Sequence, residues 1–173
     1  MGTITETQSE IRAPGKWARF DIPHKGWVCV DIADLGQPRT ICEMCELAVI
    51  RYVHTMSHPD YPVTIRAGRI CAGRMEDNPF AAESREQNVA NLMRRRANWL
   101  TRKWRKSYRG NAMVRTDGAV VVVFEENAAW IATVKHPILT HGLWIQSRGC
   151  KTVDEAKLAG FEILMRVKEV SRV

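Results

Sequence analysis

Three cysteines have the residue type and spacing of metal ligands. Cys42 and Cys45 form a C-x-x-C pair, and Cys71 lies 26 residues after Cys45. Cysteines grouped in this way bind zinc in reducing compartments, because zinc takes four ligands in a tetrahedron and readily accepts thiolates. The position three after Cys71 is Arg74, which cannot bind a metal, so a second C-x-x-C pair is not formed. The sequence therefore predicts a structural Zn²⁺ with three cysteine ligands and a fourth ligand from elsewhere.

The fourth ligand stays open between two residues. Cys29 lies on a preceding predicted strand and His54 on the first strand of a predicted hairpin, and a water molecule is a third alternative. His58 is disfavoured because the tip of a hairpin lies away from its base. The competing interpretation needs no metal, since cysteine is among the most buried residue types and three cysteines can fill a core.

A hairpin would bring the third cysteine back to the pair. His58 lies 13 residues after Cys45 and 13 residues before Cys71. Residues 48–56 are rich in β-branched and aromatic types, which favours a strand over a helix. We therefore expect two antiparallel strands that turn near His58.

Two further patterns bear on this region. Thr40 and Glu43 have the spacing of a helix capping box, which is the argument for the helical alternative. Residues 17–20 and 27–32 are aromatic and β-branched, and they are separated by a turn sequence. They predict a strand pair that covers the cysteine module.

One stretch carries more positive charge than the whole chain. The 173 residues include 26 Lys and Arg against 19 Asp and Glu, a net charge of +7. The stretch contains no acidic residue and eight basic ones: Arg94, Arg95, Arg96, Arg102, Lys103, Arg105, Lys106 and Arg109. A run of one sign beside Trp99, Trp104 and Tyr108 suits phosphate contact and aromatic stacking. The alternatives are a solubilising face, a contact with an acidic protein, and a core position for the two tryptophans.

The basic stretch is predicted to be helical. Asn78 and Pro79 suit a helix start, and no further proline or glycine occurs before Gly110. We expect a helix of about 28 residues with an apolar stripe. The stripe comprises Val89, Met93, Ala97, Leu100 and Trp104.

The remainder of the chain predicts three strands and a helix. Apolar runs at 119–124, 130–134 and 143–147 are the strands, and the first follows a turn at 116–118. Thr152 and Glu155 form a capping box for a helix that extends to about Val170. The predicted fold class is α+β, with a disordered arm (1–14), a zinc-ribbon-like β module (15–78), a long basic connecting helix (79–109) and a three-stranded antiparallel sheet with a C-terminal helix (110–173).

Residues 42–75 resemble zinc-ribbon-like modules, in which a C-x-x-C turn leads into a hairpin that returns with a further ligand. The segment is also similar to uncharacterised bacterial proteins with runs like Ile50-Arg-Tyr-Val-His54 and Cys71-Ala-Gly. The first resemblance implies a zinc-stabilised fold, and the second implies no activity.

Residues 111–170 resemble the arm-type DNA-binding domains of tyrosine recombinases and the plant ethylene-response domain, on element order and the cap at Thr152. The resemblance implies that the sheet enters the DNA major groove. Positions that would face DNA include Arg115, Lys135, Gln146 and Arg148. The order from Pro79 also resembles double-stranded RNA-binding domains, which begin their last helix with a lysine pair. Asp154 and Glu155 stand there instead and would repel phosphate, which favours DNA.

The sequence predicts a binding protein rather than an enzyme. It contains no P-loop, nucleophile elbow, G-x-G-x-x-G or H-E-x-x-H motif, although a zinc hydrolase stays a third interpretation. Without a signal peptide or an apolar run of about 18 residues, the protein is expected in the cytoplasm, away from membranes. We expect a regulatory or accessory protein that binds double-stranded DNA. The alternative is a phage-type or plasmid-type inhibitor or adaptor that binds a host protein or nucleoprotein complex.

Overall fold

The computed structural model describes residues 15–139 and 143–170, so the predicted arm at 1–14 lies outside the described residues. The chain forms two compact units, Met1–Leu92 and Met93–Val173. The structure is a mixture of helices and antiparallel sheets, which confirms the α+β class. No helix among the described residues is long and apolar enough to cross a membrane.

The first unit is built around a three-stranded antiparallel sheet with the order β1-β4-β5. A separate two-stranded hairpin pairs β2 with β3. The elements of this unit, in chain order, are a short 3₁₀ helix (Gly15–Ala18), β1 (Val28–Asp34), β2 (Thr40–Ile41), β3 (Val49–Ile50), β4 (Tyr52–His58), β5 (Tyr61–Ala67), α1 (Arg69–Met75) and the start of α2 (Pro79–Ala97).

The predicted hairpin is confirmed. β4 and β5 are antiparallel, His54 is paired with Ala67, and His58 is paired with Tyr61 at the tip. Thr40 begins a strand, so the helix that a capping box at Thr40 and Glu43 would start is not formed. Trp27, Met44, Met56, Ile65 and Met75 are buried in the core that the unit forms around this sheet.

The predicted strand at 17–20 is wrong, because Gly15–Ala18 is a 3₁₀ helix. Gly15 has a φ of +64°, and a Cβ there would lie 2.6 Å from the backbone carbonyl carbon of Cys45. The amide of Lys16 donates to the carbonyl of Met44 at 2.8 Å. The segment is thus held against the C-x-x-C turn and does not pair with β1, whose partner is β4.

The second unit contains a five-stranded antiparallel sheet with the order β10-β9-β8-β7-β6, covered by one helix. Its elements are β6 (Arg105–Lys106), β7 (Ala112–Thr116), β8 (Ala119–Glu126), β9 (Ala129–Lys135), β10 (Trp144–Gln146) and α3 (Val153–Val170). The three predicted strands correspond to β8, β9 and β10, and β6 and β7 extend the sheet beyond the predicted three. β7 pairs with β8 through a tight turn, in which Asp117 and Gly118 both have positive φ, as two-residue hairpins require.

The predicted 28-residue helix is too long, because α2 ends at Ala97. Trp99 is 1% exposed and packs against Phe161 of α3 with ring centroids 5.2 Å apart. Its Nε1 donates to the carbonyl of Lys157 at 2.6 Å. We infer that α2 ends before Trp99 because a continued helix would not place this ring in the core beneath α3. The predicted apolar stripe is not a core face either, since Met93 is 46% exposed.

α3 begins as the capping box predicts. The amide of Glu155 donates to Thr152 Oγ1 at 3.1 Å, and the amide of Thr152 donates to Glu155 Oε2 at 3.3 Å. The helix buries Gly160, Phe161 and Leu164 against β8 and β9. A Cβ at Gly160 would lie 2.7 Å from Val121 Cγ1, so the helix approaches the sheet closely.

Candidate metal centre and nucleic-acid interface

The three predicted cysteines converge. The Sγ atoms of Cys42, Cys45 and Cys71 all lie within 4.8 Å of one another. Cys42 and Cys45 lie in the turn between β2 and β3, and Cys71 comes from the first turn of α1, just after β5. The hairpin therefore returns the third cysteine, although a helix and not the strand itself carries it. Three thiolates on one zinc, at about 2.3 Å each, would lie about 3.8 Å apart. The group could hold a metal ion after a small contraction.

Hydrogen-bond donors surround the sulfur atoms. The amide of Gly68 donates to Cys42 Sγ at 3.4 Å, and Trp17 Nε1 donates to Cys71 Sγ at 3.4 Å. The Cys71 thiol and nearby amides, which include that of Cys45, lower the pKa of Cys42 to about 5, although burial opposes this. The same hydrogen bond and burial raise the pKa of Cys71. Of Cys42 and Cys71, Cys42 is thus the one whose thiolate form is favoured, and the thiolate is the form that binds a metal.

Neither predicted fourth ligand belongs to this group. His54 is fully buried, and its Nδ1 lies 3.8 Å from Cys29 Sγ. Its Nε2 lies 3.3 Å from Glu86 Oε1 of α2. Among residues 15–139 and 143–170, the metal-ligating group contains only the three cysteines. Both nitrogens of His54 thus face partners other than the triad.

Space for a solvent ligand exists beside the triad. A cavity of about 340 Å³ is lined by Cys42 and Cys71, together with Ile50, Tyr52 and Glu86. One water molecule occupies about 30 Å³ in the liquid, so the cavity has room for water next to the two sulfur atoms. The alternative of a water ligand is therefore compatible with the geometry.

The buried histidine predicts a pH dependence of stability. Burial lowers the pKa of His54, although its hydrogen bond to Glu86 raises it and the charge of Arg85 lowers it further. The unfolded chain then binds this proton more readily, so the free energy of unfolding should fall as the pH drops below about 6.5. Denaturant unfolding of the wild type and of His54→Gln, from about pH 7.5 to about pH 5.5, measures the effect. The slope should be shallower in His54→Gln, and equal slopes would contradict the prediction.

Part of the basic stretch serves the fold. Arg95 and Lys168 both pair with Asp117 in the β7–β8 turn, and Lys168 lies 3.0 Å from that carboxylate. Burial opposes the shift, but hydrogen bonds from Lys168 and Arg95 lower the pKa of Asp117. Arg96 lies 3.4 Å from Glu162. The sequence has no acid within the stretch, yet acids from more distant residues neutralise some of its charge.

Arg94 and Arg102 are also placed by the structure. Arg94 is exposed near the end of α2. Arg102 donates to Thr116 Oγ1 at 3.0 Å and lies over the Trp99 ring, 5.4 Å from its centroid. Trp99 and Trp104 contact each other edge to face in the core, so the core interpretation of these two rings is confirmed.

Five other cations lie exposed around β6 and β7. In the part of the chain that the structure describes, no salt bridge engages them. They are Lys103, Arg105, Lys106, Arg109 and Arg115. A cavity of about 360 Å³ brings several cations together: it is lined by Arg102, Lys103, Arg105 and Arg115, with Met113 and Val114. Clustered cations without acidic partners form a positive surface suited to phosphate.

The sheet of the second unit has one covered face and one open face. Val114, Val121 and Val134 lie on the face that α3 covers. The pairing of Arg115 with Val120, of Val120 with Lys135, and of Lys135 with Trp144 places the alternate residues on the other face. Gln146, paired with Thr133, shares that face. Three of the four predicted DNA-facing residues are therefore on one surface, while Arg148 is exposed in the segment after β10.

Some residues near these sites were not predicted from the sequence. Glu86 contacts His54, and its position four residues after the buried Ala82 places both on one face of α2. Trp17 contacts Cys71 from a segment whose strand-like composition concealed that role. Tyr108 is fully exposed, in contrast to the buried Trp99 and the partly buried Trp104.

Comparison with known proteins gives no family assignment. No protein-family model, no curated protein and no solved structure matches this chain.

Proposed function

We propose that this protein is a nucleic-acid-binding accessory or regulatory protein, with DNA as its expected ligand and one zinc ion that stabilises its first unit. The observation that carries the proposal is the cluster of Arg102, Lys103, Arg105 and Arg115 around one cavity of the second unit. None of these four side chains forms a salt bridge with a described residue, although Arg102 donates to Thr116 Oγ1. Such a cluster binds phosphate oxygens and releases counterions from the nucleic acid.

The zinc proposal rests on separate observations in the first unit. Thiols, rather than carboxylates, converge there, and soft sulfur ligands select zinc over magnesium or calcium. The low pKa of Cys42 favours the thiolate form of that residue, and its sulfur accepts a hydrogen bond from the amide of Gly68. We assign the ion a structural role, because its ligands join the β2–β3 turn to α1.

The salt dependence of binding tests the proposal. A variant with Lys103→Gln, Arg105→Gln and Arg115→Gln should bind a mixed-sequence duplex at least tenfold more weakly at low salt. The slope of log K against log salt should decrease by about 2 to 3, because each lost phosphate contact contributes about 0.9. Fluorescence anisotropy of a labelled duplex at several salt concentrations measures both quantities.

A matched control separates a local site from overall charge. Arg39, Arg74 and Arg166 are exposed, and no salt bridge with another described residue engages them. Replacing all three with Gln removes the same charge and should leave affinity within about twofold, because these side chains lie outside the cluster. If both triple variants lose affinity equally, or if the wild type binds no nucleic acid at low salt, the proposed function is wrong.

A second candidate function is an adaptor that docks on a host protein or nucleoprotein complex. It is favoured by the apolar residues that the β2–β3 hairpin exposes, Ile41, Leu47 and Val49. Exposed apolar groups of this kind are frequent at protein interfaces. An adaptor would bind its partner with little salt dependence and would lose affinity in Leu47→Ser with Val49→Ser. A nucleic-acid-binding protein would retain duplex binding in that variant.

A further inference from the structure

The open face of the second unit's sheet is apolar in its centre. Val122 and Phe124 of β8 are only half-buried there, and Met113 of β7 lies beside Val122. Arg105 is paired with Met113, so it belongs to the same face. Side chains alternate between the two faces of a sheet, so Val114, Val121 and Val134, which face α3, do not contribute to the open face. The sheet therefore presents aliphatic and aromatic side chains between cations.

A concavity of about 390 Å³ lies on this face. It is lined by three aromatic side chains, which are Tyr108, Phe124 and Trp144, and by the polar Arg109, Asn111 and Thr133. Its volume is within the range of about 300 to 1,000 Å³ that is usual for small-molecule sites. Trp144 is 45% exposed, and Lys135 Nζ lies 5.8 Å from the centroid of its ring. The concavity thus combines aromatic rings with hydrogen-bonding groups.

This composition discriminates between forms of nucleic acid. A sheet that reads a major groove needs donors and acceptors that reach base edges. For such contacts the open face within β7–β10 offers the cations Arg115 and Lys135 and the uncharged Thr133 and Gln146, but apolar and aromatic side chains form its centre. A duplex also stacks its base faces against one another, so they are not accessible to aromatic side chains. An unpaired base, in contrast, can stack on an aromatic ring.

The cations around the concavity are complementary to a phosphate backbone. Arg109 lines the concavity itself, and Arg105, Arg115 and Lys135 project from the same face of neighbouring strands. A chain of nucleotides placed across the sheet would thus find charge partners on both sides of the aromatic group. This pairing of stacking groups with cations is how sequence-tolerant binding of single strands is achieved.

We propose that the concavity formed by Tyr108, Phe124 and Trp144 binds an unpaired base of a single-stranded nucleic acid, while the cations beside it contact the flanking phosphates. This inference rests on the proposed function and specifies its ligand as a single strand. The shared chemistry is an unpaired base with its phosphates, which DNA and RNA both supply.

Direct binding experiments test this inference. Fluorescein-labelled oligothymidine and oligouridine of about 20 nucleotides are compared by anisotropy with a labelled mixed-sequence duplex of equal length. The wild type should bind at least one of the single strands about tenfold more tightly than the duplex. Trp144→Ala and Tyr108→Ala should each weaken single-strand binding by about tenfold. Duplex binding should change by less than about twofold in both variants.

Two further variants give the controls. Phe80 is 79% exposed in the first unit, so Phe80→Ala removes an exposed aromatic ring outside the concavity and should have no effect. Trp144→Phe should retain most of the affinity because it keeps a ring. Circular dichroism melting of each variant checks that the fold is intact.

The outcomes separate the two proposals. If the duplex and both single strands bind equally, and the alanine variants bind as the wild type does, the base site is wrong while nucleic-acid binding stands. If neither single strand nor duplex binds at low salt, both proposals are wrong.

Discussion

Cys42→Ser is expected to abolish the binding of one equivalent of zinc and to unfold the first unit at physiological temperature. Cys42 is fully buried and accepts the amide of Gly68, and its sulfur lies within the group that includes Cys45 and Cys71. Structural zinc contributes about 10 to 16 kcal/mol of apparent binding free energy in zinc-finger peptides, and that energy is folding energy. Elemental analysis of the purified protein and thermal unfolding with and without a chelator measure the two effects.

Two other cysteines supply controls for this prediction. Cys150 belongs to the second unit and Cys29 faces His54, so neither sulfur is among the three that converge. Cys150→Ser and Cys29→Ser should both retain one zinc per chain. A wild type that contains no zinc, or a Cys42→Ser variant that keeps it, would exclude the metal centre. Loss of zinc in Cys29→Ser would instead restore Cys29 as a fourth ligand.

Phe161→Ala is expected to reduce the free energy of unfolding of the second unit by about 3 to 5 kcal/mol. Phe161 is 2% exposed and packs between Trp99 and the sheet, together with Val121 and Leu164. Removing the ring loses the free energy of its burial and leaves a cavity. The cavity should stay largely open, because α3 is already packed closely on the sheet and cannot move further toward it. Urea unfolding followed by circular dichroism and tryptophan fluorescence measures the change.

Val170→Ala is the matched control on the same helix. Val170 is 75% exposed, so its loss should change the free energy of unfolding by less than about 0.5 kcal/mol. Zinc content should be normal in both variants, since Cys42, Cys45 and Cys71 lie in the other unit. A loss below about 1 kcal/mol in Phe161→Ala would contradict the packing of this ring between α3, Trp99 and the sheet.

The cysteine triad could be predicted because it depends on local rules. The strand preference at 48–56 and the equal spacing about His58 are enough to predict that Cys71 lies close to the C-x-x-C pair. The fourth ligand could not be predicted in this way. Whether His54 faces the triad or α2 depends on strand register and on the packing of Glu86, which are tertiary properties.

In the second unit, too, local features could be predicted and tertiary ones could not. The capping box at Thr152 and the turn at Asp117 depend on a few neighbouring residues, and both occur where the sequence indicates. The end of α2 does not, because the burial of Trp99 against α3 overrides a helical propensity that continues past it. β6 could not be predicted either, since Arg105 and Lys106 pair with β7 although neither is a residue type that favours strands.

The basic stretch shows the limit of counting charge along a sequence. Eight cations without an acid predict a uniform surface, but Asp117 and Glu162, which are 22 and 66 residues from their arginine partners, engage Arg95 and Arg96. The charge available to a ligand is therefore concentrated around β6 and β7, at one end of the stretch.

The close approach at Gly160 has a consequence for how this sequence can vary. Glycine costs about 1 kcal/mol relative to alanine within a helix, and the contacts with Val121 and Ala132 explain why it is nevertheless present. A larger residue at position 160 is compatible with the fold only if position 121 becomes smaller at the same time. Among chains that share this architecture, the sizes of these two side chains should be inversely related, so the pair is a signature by which distant relatives can be recognised.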